Sequence, residues 1–215
     1  MTTLREALPD ALVKPPIWAP IGRRFEGKEC LASFLAFEAA EVLGGAKPGN
    51  LVNIVNRHMA CGQYMYELWL RHGADLLAES PLLAFTLRDN GRNTLVYLYR
   101  EDLLKRQLAC PAVTGFLRER GFNPEGGTEQ LLREMQLRFD EGGMPHEVGV
   151  ILGYPLKDVL GFMGCGLEPL SCRGPWQIYG DPAPSLELVC SFRLCQLKMA
   201  RSLAWAKNPR DCLGN

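Results

Sequence analysis

This chain of 215 residues has no surplus of charge in either direction, because 24 Lys and Arg balance 24 Asp and Glu for a formal net charge of +0. Without a net field it does not recruit nucleic acid or anionic membrane by charge, so neither is an expected partner. No apolar run approaches the roughly 20 residues that cross a bilayer, and no membrane span is expected. The opening M-T-T-L-R-E-A-L-P-D lacks the basic start and apolar stretch of a secretory leader. Several chemical signatures are also missing: no Walker-type phosphate loop, no Gly-x-Gly-x-x-Gly after a strand, no His-Glu-x-x-His and no Gly-x-Ser-x-Gly. Nucleotide-driven chemistry and serine hydrolysis therefore have no motif to rest on. The eight cysteines do not form the paired Cys-x2–4-Cys knuckles of a structural zinc site.

What is present suits a globular protein. Hydrophobic residues make up 47% and charged residues 22%, enough for a sizeable core in a chain of this length. Irregularly spaced cysteines behind a leaderless start point to reduced thiols and a cytoplasmic protein. Residues 1–28 read as a Pro-rich arm with P-P-I-W-A-P at its centre, extended rather than helical, which Trp18 plugs onto the body. Residues 29–207 read as one α+β domain, and 208–215 as a loose tail.

Within the domain, Leu31, Phe34, Leu35, Ala39 and Val42 recur at helical steps, and Gly44-Gly45 supplies a stop. A turn at Lys47-Pro48-Gly49-Asn50 leads into a short strand over 51–55. A second helix is predicted over 59–72, closed by Gly73, with His58, Cys61, Met65, Leu68 and His72 on one stripe. That stripe is either core or a set of soft metal or heme ligands. Runs 82–88 and 94–100 flank Asp89-Asn90-Gly91-Arg92-Asn93, a hairpin signal, and T-L-V-Y-L-Y-R is apolar on both faces, as a central covered strand should be. Helices are expected over 101–109, 111–120 and 128–139, joined by Glu125-Gly126-Gly127 and followed by Glu141-Gly142-Gly143. A strand over 148–152, a short helix over 156–163, a Gly- and Pro-rich loop over 164–175, a strand over 176–179 and a long last helix over 185–206 complete the reading. The fold class is α+β: a small, mostly antiparallel sheet packed with several helices in a single domain.

Reactive side chains concentrate between Met144 and Asp181. His146 is a candidate metal ligand or proton-transfer group; Glu147, adjacent on the expected strand, would face the other way. Cys172, next to Arg173 and Gly174, could hold a lowered pKa and act as a thiolate, or be an ordinary loop cysteine. Tyr154 and Trp176 are candidates for the walls of a pocket.

The runs P-H-E-V-G-V-I-L-G-Y-P-L-K-D-V-L-G-F-M and C-R-G-P-W-Q-I-Y-G-D, together with G-G-A-K-P-G-N-L and T-L-V-Y-L-Y-R, resemble a bacterial family known as domain of unknown function 3793, over roughly residues 29–207. The resemblance carries over His146, Glu147, Gly153, Tyr154, Pro155, Cys172, Trp176, Tyr179, Gly180 and Asp181 as the matching positions. It implies physiology tied to iron, heme or low-potential redox chemistry in anaerobes, beside flavodoxin-like proteins. Relatives often carry a His-Cys pair before the Lys-Pro turn, where this chain has Glu38-Ala39-Ala40-Glu41.

Three functions follow as expectations. One is a cytoplasmic binding or accessory protein for iron, heme or a related small ligand, with His146, Cys172, His58 and Cys61 as metal ligands and Glu147, Tyr154, Trp176 and Tyr179 around the ligand. Another is an enzyme that uses Cys172 as thiol and His146 as acid or base. The third is a non-catalytic interaction module using the arm and the basic last helix.

Overall fold

The computed structural model describes residues 2–3, 14–141 and 143–214. Met1 and residues 4–13 of the expected arm, Gly142 of the second glycine linker and Asn215 of the tail lie outside it. Six strands and ten α-helices are present among the described residues. The strands are β1 (Thr2–Thr3), β2 (Gly49–Val55), β3 (Leu83–Asp89), β4 (Asn93–Tyr99), β5 (Leu170–Arg173) and β6 (Gln177–Tyr179). The helices are α1 (Ala19–Gly22), α2 (Gly27–Glu38), α3 (Ala40–Leu43), α4 (Met65–Ala78), α5 (Glu101–Leu108), α6 (Pro111–Glu119), α7 (Thr128–Asp140), α8 (Val148–Ile151), α9 (Leu156–Phe162) and α10 (Ala183–Trp205). The architecture is mixed α+β, as the sequence pattern predicts.

The main sheet runs β2-β4-β3, antiparallel throughout, with β4 in the middle. Its two apolar faces enter two different cores. Val96 and Leu98 join Val52 and Ile54 against α2 and α4, whereas Tyr97 and Tyr99 join Leu87 against α5 to α9. A strand buried on both sides needs apolar residues at every position, and T-L-V-Y-L-Y supplies them. α2 is enclosed in the first core: Cys30 to Ala36 are all buried, the pattern of a helix that is apolar all round. The second sheet is small, β1-β5-β6, with β1 parallel to β5 and β5 antiparallel to β6.

Several elements depart from the sequence reading. The first helix breaks at Ala39 (φ −101°, ψ 16°) into α2 and α3. Helix α4 begins at Met65, not near residue 59, and runs through Gly73 to Ala78. Trp69 packs flat over the space that a side chain at Gly73 would need, so the glycine serves packing instead of termination. His58 and Cys61 therefore precede the helix and do not share its stripe with Met65, Leu68 and His72. Residues 148–151 are a helical turn, not a strand; the run V-G-V-I is too short for its apolarity to decide between the two. Cys172 lies on β5, inside what reads as a loop. The expected loose tail instead ends in a 3-10 turn, Pro209–Cys212, and Leu213 behind it is only 1% exposed in the first core. At the other end Trp18 does plug onto the body: its indole donates to Ser33 Oγ (3.2 Å) and meets Phe34 edge-on.

Candidate functional site

The turn at Lys47–Asn50 and the segment 149–158 are a hundred residues apart in sequence and in contact in space. Gly153 has φ +77°, and a Cβ there would lie 2.6 Å from the Pro48 ring, so glycine permits both the turn and the approach. The fully buried Tyr97 ring fills the space beside Gly49 and donates its hydroxyl to Ile151 O (2.5 Å). Arg100 N–H donates to Pro48 O (3.0 Å). The central strand thereby fixes the Lys47 turn against α8 and the Gly153 turn.

On this base stands a pair of rings. Tyr154 stacks on Trp176 at 4.6 Å and 20°, and Trp176 leans on Phe192 of α10 at 5.9 Å. The orientation of Trp176 is set by Asp158, only 2% exposed, which accepts from Trp176 Nε1 (2.8 Å), Ser185 Oγ (2.7 Å), Tyr179 N (2.9 Å) and Lys157 Nζ (2.8 Å). Four donors satisfy the lone pairs of a buried carboxylate. One residue on α9 thus joins β6, the loop before it and the start of α10.

The ring pair has a different cavity on each side. Outward lies a cleft of about 640 Å³, walled by Val148, Gly149, Leu152, Val159 and Phe162, with His146, Met144 and Arg173 also contributing. Its volume falls within the usual range for small-molecule sites. His146 is exposed and meets Phe162 edge-on at 5.1 Å. Inward lies a chamber of about 300 Å³ lined by Glu38, Glu41, Lys47, Asn50, Phe192, Arg193 and Gln196. Lys47 is 5% exposed; its Nζ donates to Asn50 Oδ1 (3.0 Å) and sits over the rings of Phe192 (5.1 Å) and Tyr154 (5.8 Å). Burial pulls the Lys47 ammonium below its ordinary range, against the carboxylates of Glu41 and Glu38. Burial and then the Glu41 charge push Glu38 up to about 7. Gln196 donates to Glu41 Oε1 (2.6 Å), and Arg193 donates to Gln196 Oε1 (2.6 Å). Arg193 Nε is buried without an acceptor among the described residues.

The sequence candidates divide accordingly. His146, Tyr154 and Trp176 line the cleft together. Glu147 turns away, 8% exposed, and pairs with Arg138 at 3.6 Å in a separate groove. It diverges from His146 by way of a helical turn, not the strand alternation expected. Cys172 is 1% exposed on β5 and is not on the cleft wall, where its neighbour Arg173 stands. Tyr179 packs its ring on Gly161 and bonds Gln177 and Asp158, shaping the wall from behind. Cys61 is buried in the first core with Cys30, and the exposed His58 pairs with Tyr64. Burial, with Cys61 adding to it, pushes the Cys30 thiol up to about 12, which keeps it protonated and inert. Among the described residues no three His, Cys, Asp or Glu side chains gather as a metal ion would need. The chamber residues were legible only in part. The Lys-Pro turn stood out, but nothing in the spacing shows that Glu38, Glu41 and Arg193 converge on it.

No curated protein and no solved structure matches the chain. Residues 35–213 match the family described as Protein of unknown function (DUF3793), a span that includes the Lys47 turn, the ring pair and α10, and the chain belongs to that family.

Proposed function

We propose that the protein binds a small planar compound, largely apolar, in the cleft between His146 and Trp176. The observation that supports this reading is the cleft itself: about 640 Å³ of mostly aliphatic and aromatic wall, with one imidazole and one guanidinium among its lining groups. Such a surface holds a ring by apolar burial and orients it with a few polar contacts. Heme is the ligand of this kind that the wall chemistry favours. His146 would supply the axial nitrogen, Arg173 would pair with a carboxylate, and Tyr154, Trp176 and Phe162 would wall the ring. Bare iron fits poorly, since no group of three ligands is present among the described residues. The redox-protein partner implied by the family resemblance belongs to this same reading.

Titration of the purified protein with heme and with metal-free porphyrin, followed by visible absorption and tryptophan quenching, tests it. Both should bind wild type at a ratio of one. His146→Ala should remove the heme-specific spectral shift while porphyrin binding persists. If neither ring compound binds, or if the heme spectrum is the same in His146→Ala, the reading fails.

A further inference from the structure

The inward chamber carries a chemistry that the cleft does not need. Glu38, Glu41, Lys47 and Arg193 come from four places in the chain, the end of α2, α3, the Lys-Pro turn and α10, and all face one volume of about 300 Å³. Burying Glu41 and Lys47 is costly, and a lysine clamped only for stability would sit between carboxylate oxygens. Lys47 instead has one hydrogen-bond acceptor, the Asn50 amide oxygen, and otherwise lies against aromatic faces. Its salt bridge to either carboxylate is absent among the described ion pairs, although both line the same space. Desolvation of this kind favours the free amine, which is what a nucleophilic lysine requires. Arg193 lines the same volume, and a guanidinium suits a carboxylate.

We propose that Lys47 is the amine of a second site, which forms an imine with a small 2-oxo acid whose carboxylate is held by Arg193. The amine attacks the carbonyl carbon, a C–N bond forms as the C=O π bond breaks, and one nitrogen proton passes to the oxygen to give a carbinolamine. Its hydroxyl leaves as water with a proton from Glu38, the remaining nitrogen proton returns to the Glu38 carboxylate, and a C=N bond joins Nζ to the substrate. One water is released and no oxidant or reductant is consumed. Glu38, pushed up to about 7, holds and releases a proton near neutral pH. This site is independent of whatever occupies the cleft.

Incubation with pyruvate and cyanoborohydride at pH 7, followed by peptide mass mapping, traps any imine as a stable secondary amine. The exposed Lys14, Lys105, Lys198 and Lys207 serve as internal standards in the same molecule. Lys47 should carry several times the label of the exposed lysines, because burial leaves more of it as free amine. Acetaldehyde, which lacks the carboxylate, should label Lys47 less well. Arg193→Met should lower the pyruvate yield and leave the acetaldehyde yield unchanged, and Glu38→Gln should slow both. Lys47 labelled no more than the exposed lysines in wild type overturns the proposal. So does equal use of pyruvate in wild type and in an Arg193→Met variant with an unchanged near-ultraviolet spectrum.

Discussion

The cleft and the chamber meet at the same two rings and otherwise share little. On the cleft side the walls are aliphatic, and His146, its imidazole, stays exposed. On the chamber side apolar surface is scarce, and Glu41 and Lys47 are held where little water reaches them. Apolar volume near a surface is simple to build from a short helix and a loop, and it binds by excluding water. Buried charge is hard to build and must be supported from many directions. Here the support comes from the central strand, the Lys-Pro turn and α10 together. One side of the Tyr154–Trp176 pair is therefore suited to holding a ligand and the other to altering the reactivity of a group.

The most severe way to break the contrast is to remove the carboxylate that orients the rings. Asp158→Ala leaves the Trp176, Ser185 and Tyr179 donors unpaired in a buried place and should cost about 3–5 kcal/mol in urea unfolding. The variant should lose cleft and chamber together, measured as ligand binding and Lys47 labelling.

A slightly smaller effect concerns pH. The Glu38 carboxyl is raised to about 7 in the folded chain from 4.5, so between those values the folded state binds more protons than the unfolded one. Stability is then fully present below about 4.5 and falls as pH rises toward 7, by about 3 kcal/mol at 1.36 per unit. The groups that face Glu38 are Glu41, Lys47 and Arg193; of these Glu41 raises its pKa and Lys47 lowers it. Glu38→Gln should flatten the slope of unfolding free energy against pH in this window.

Trp176→Phe keeps a ring but deletes the N–H that reaches Asp158. A loss of about 1–2 kcal/mol is expected from the missing hydrogen bond and weaker stacking. If the two cavities respond separately, one of the two readouts above will move without the other. The smallest effect belongs to His146→Ala. An exposed side chain at the cleft should change stability by no more than about 0.5 kcal/mol, while affinity for heme falls, as spectral titration would record.

Much of the scaffold could be read from the letters. The double-faced strand at 94–100, the hairpin before it and the long last helix follow from periodicity and turn chemistry, because each is decided by neighbours in sequence. The start of helix α4 differs from the sequence pattern because His58 and Cys61 fall at helical spacing without being helical. The 148–151 turn differs because four apolar residues carry no period. The site divides the same way. His146, Tyr154 and Trp176 lie within thirty-one positions of one another, and their clustering shows in the Gly- and Pro-rich composition around them. Asp158 reads as a helix-dipole residue, and only the packing of β6 and α10 against α9 reveals the donors it collects. The chamber depends on contacts across more than a hundred residues, to which no local pattern corresponds.

The meeting of Gly153 with Pro48 has a consequence for how the molecule is made. The ribosome releases the Lys-Pro turn long before the segment that covers it, and α10 emerges later still. Until then Lys47 and Glu38 remain in water with ordinary protonation. The unusual acid–base character of this region is thus absent from the nascent polypeptide and comes into being only when the segment from Gly153 through α10 docks, so a chain arrested before Arg193 would carry Glu38, Glu41 and Lys47 but none of the chamber's chemistry.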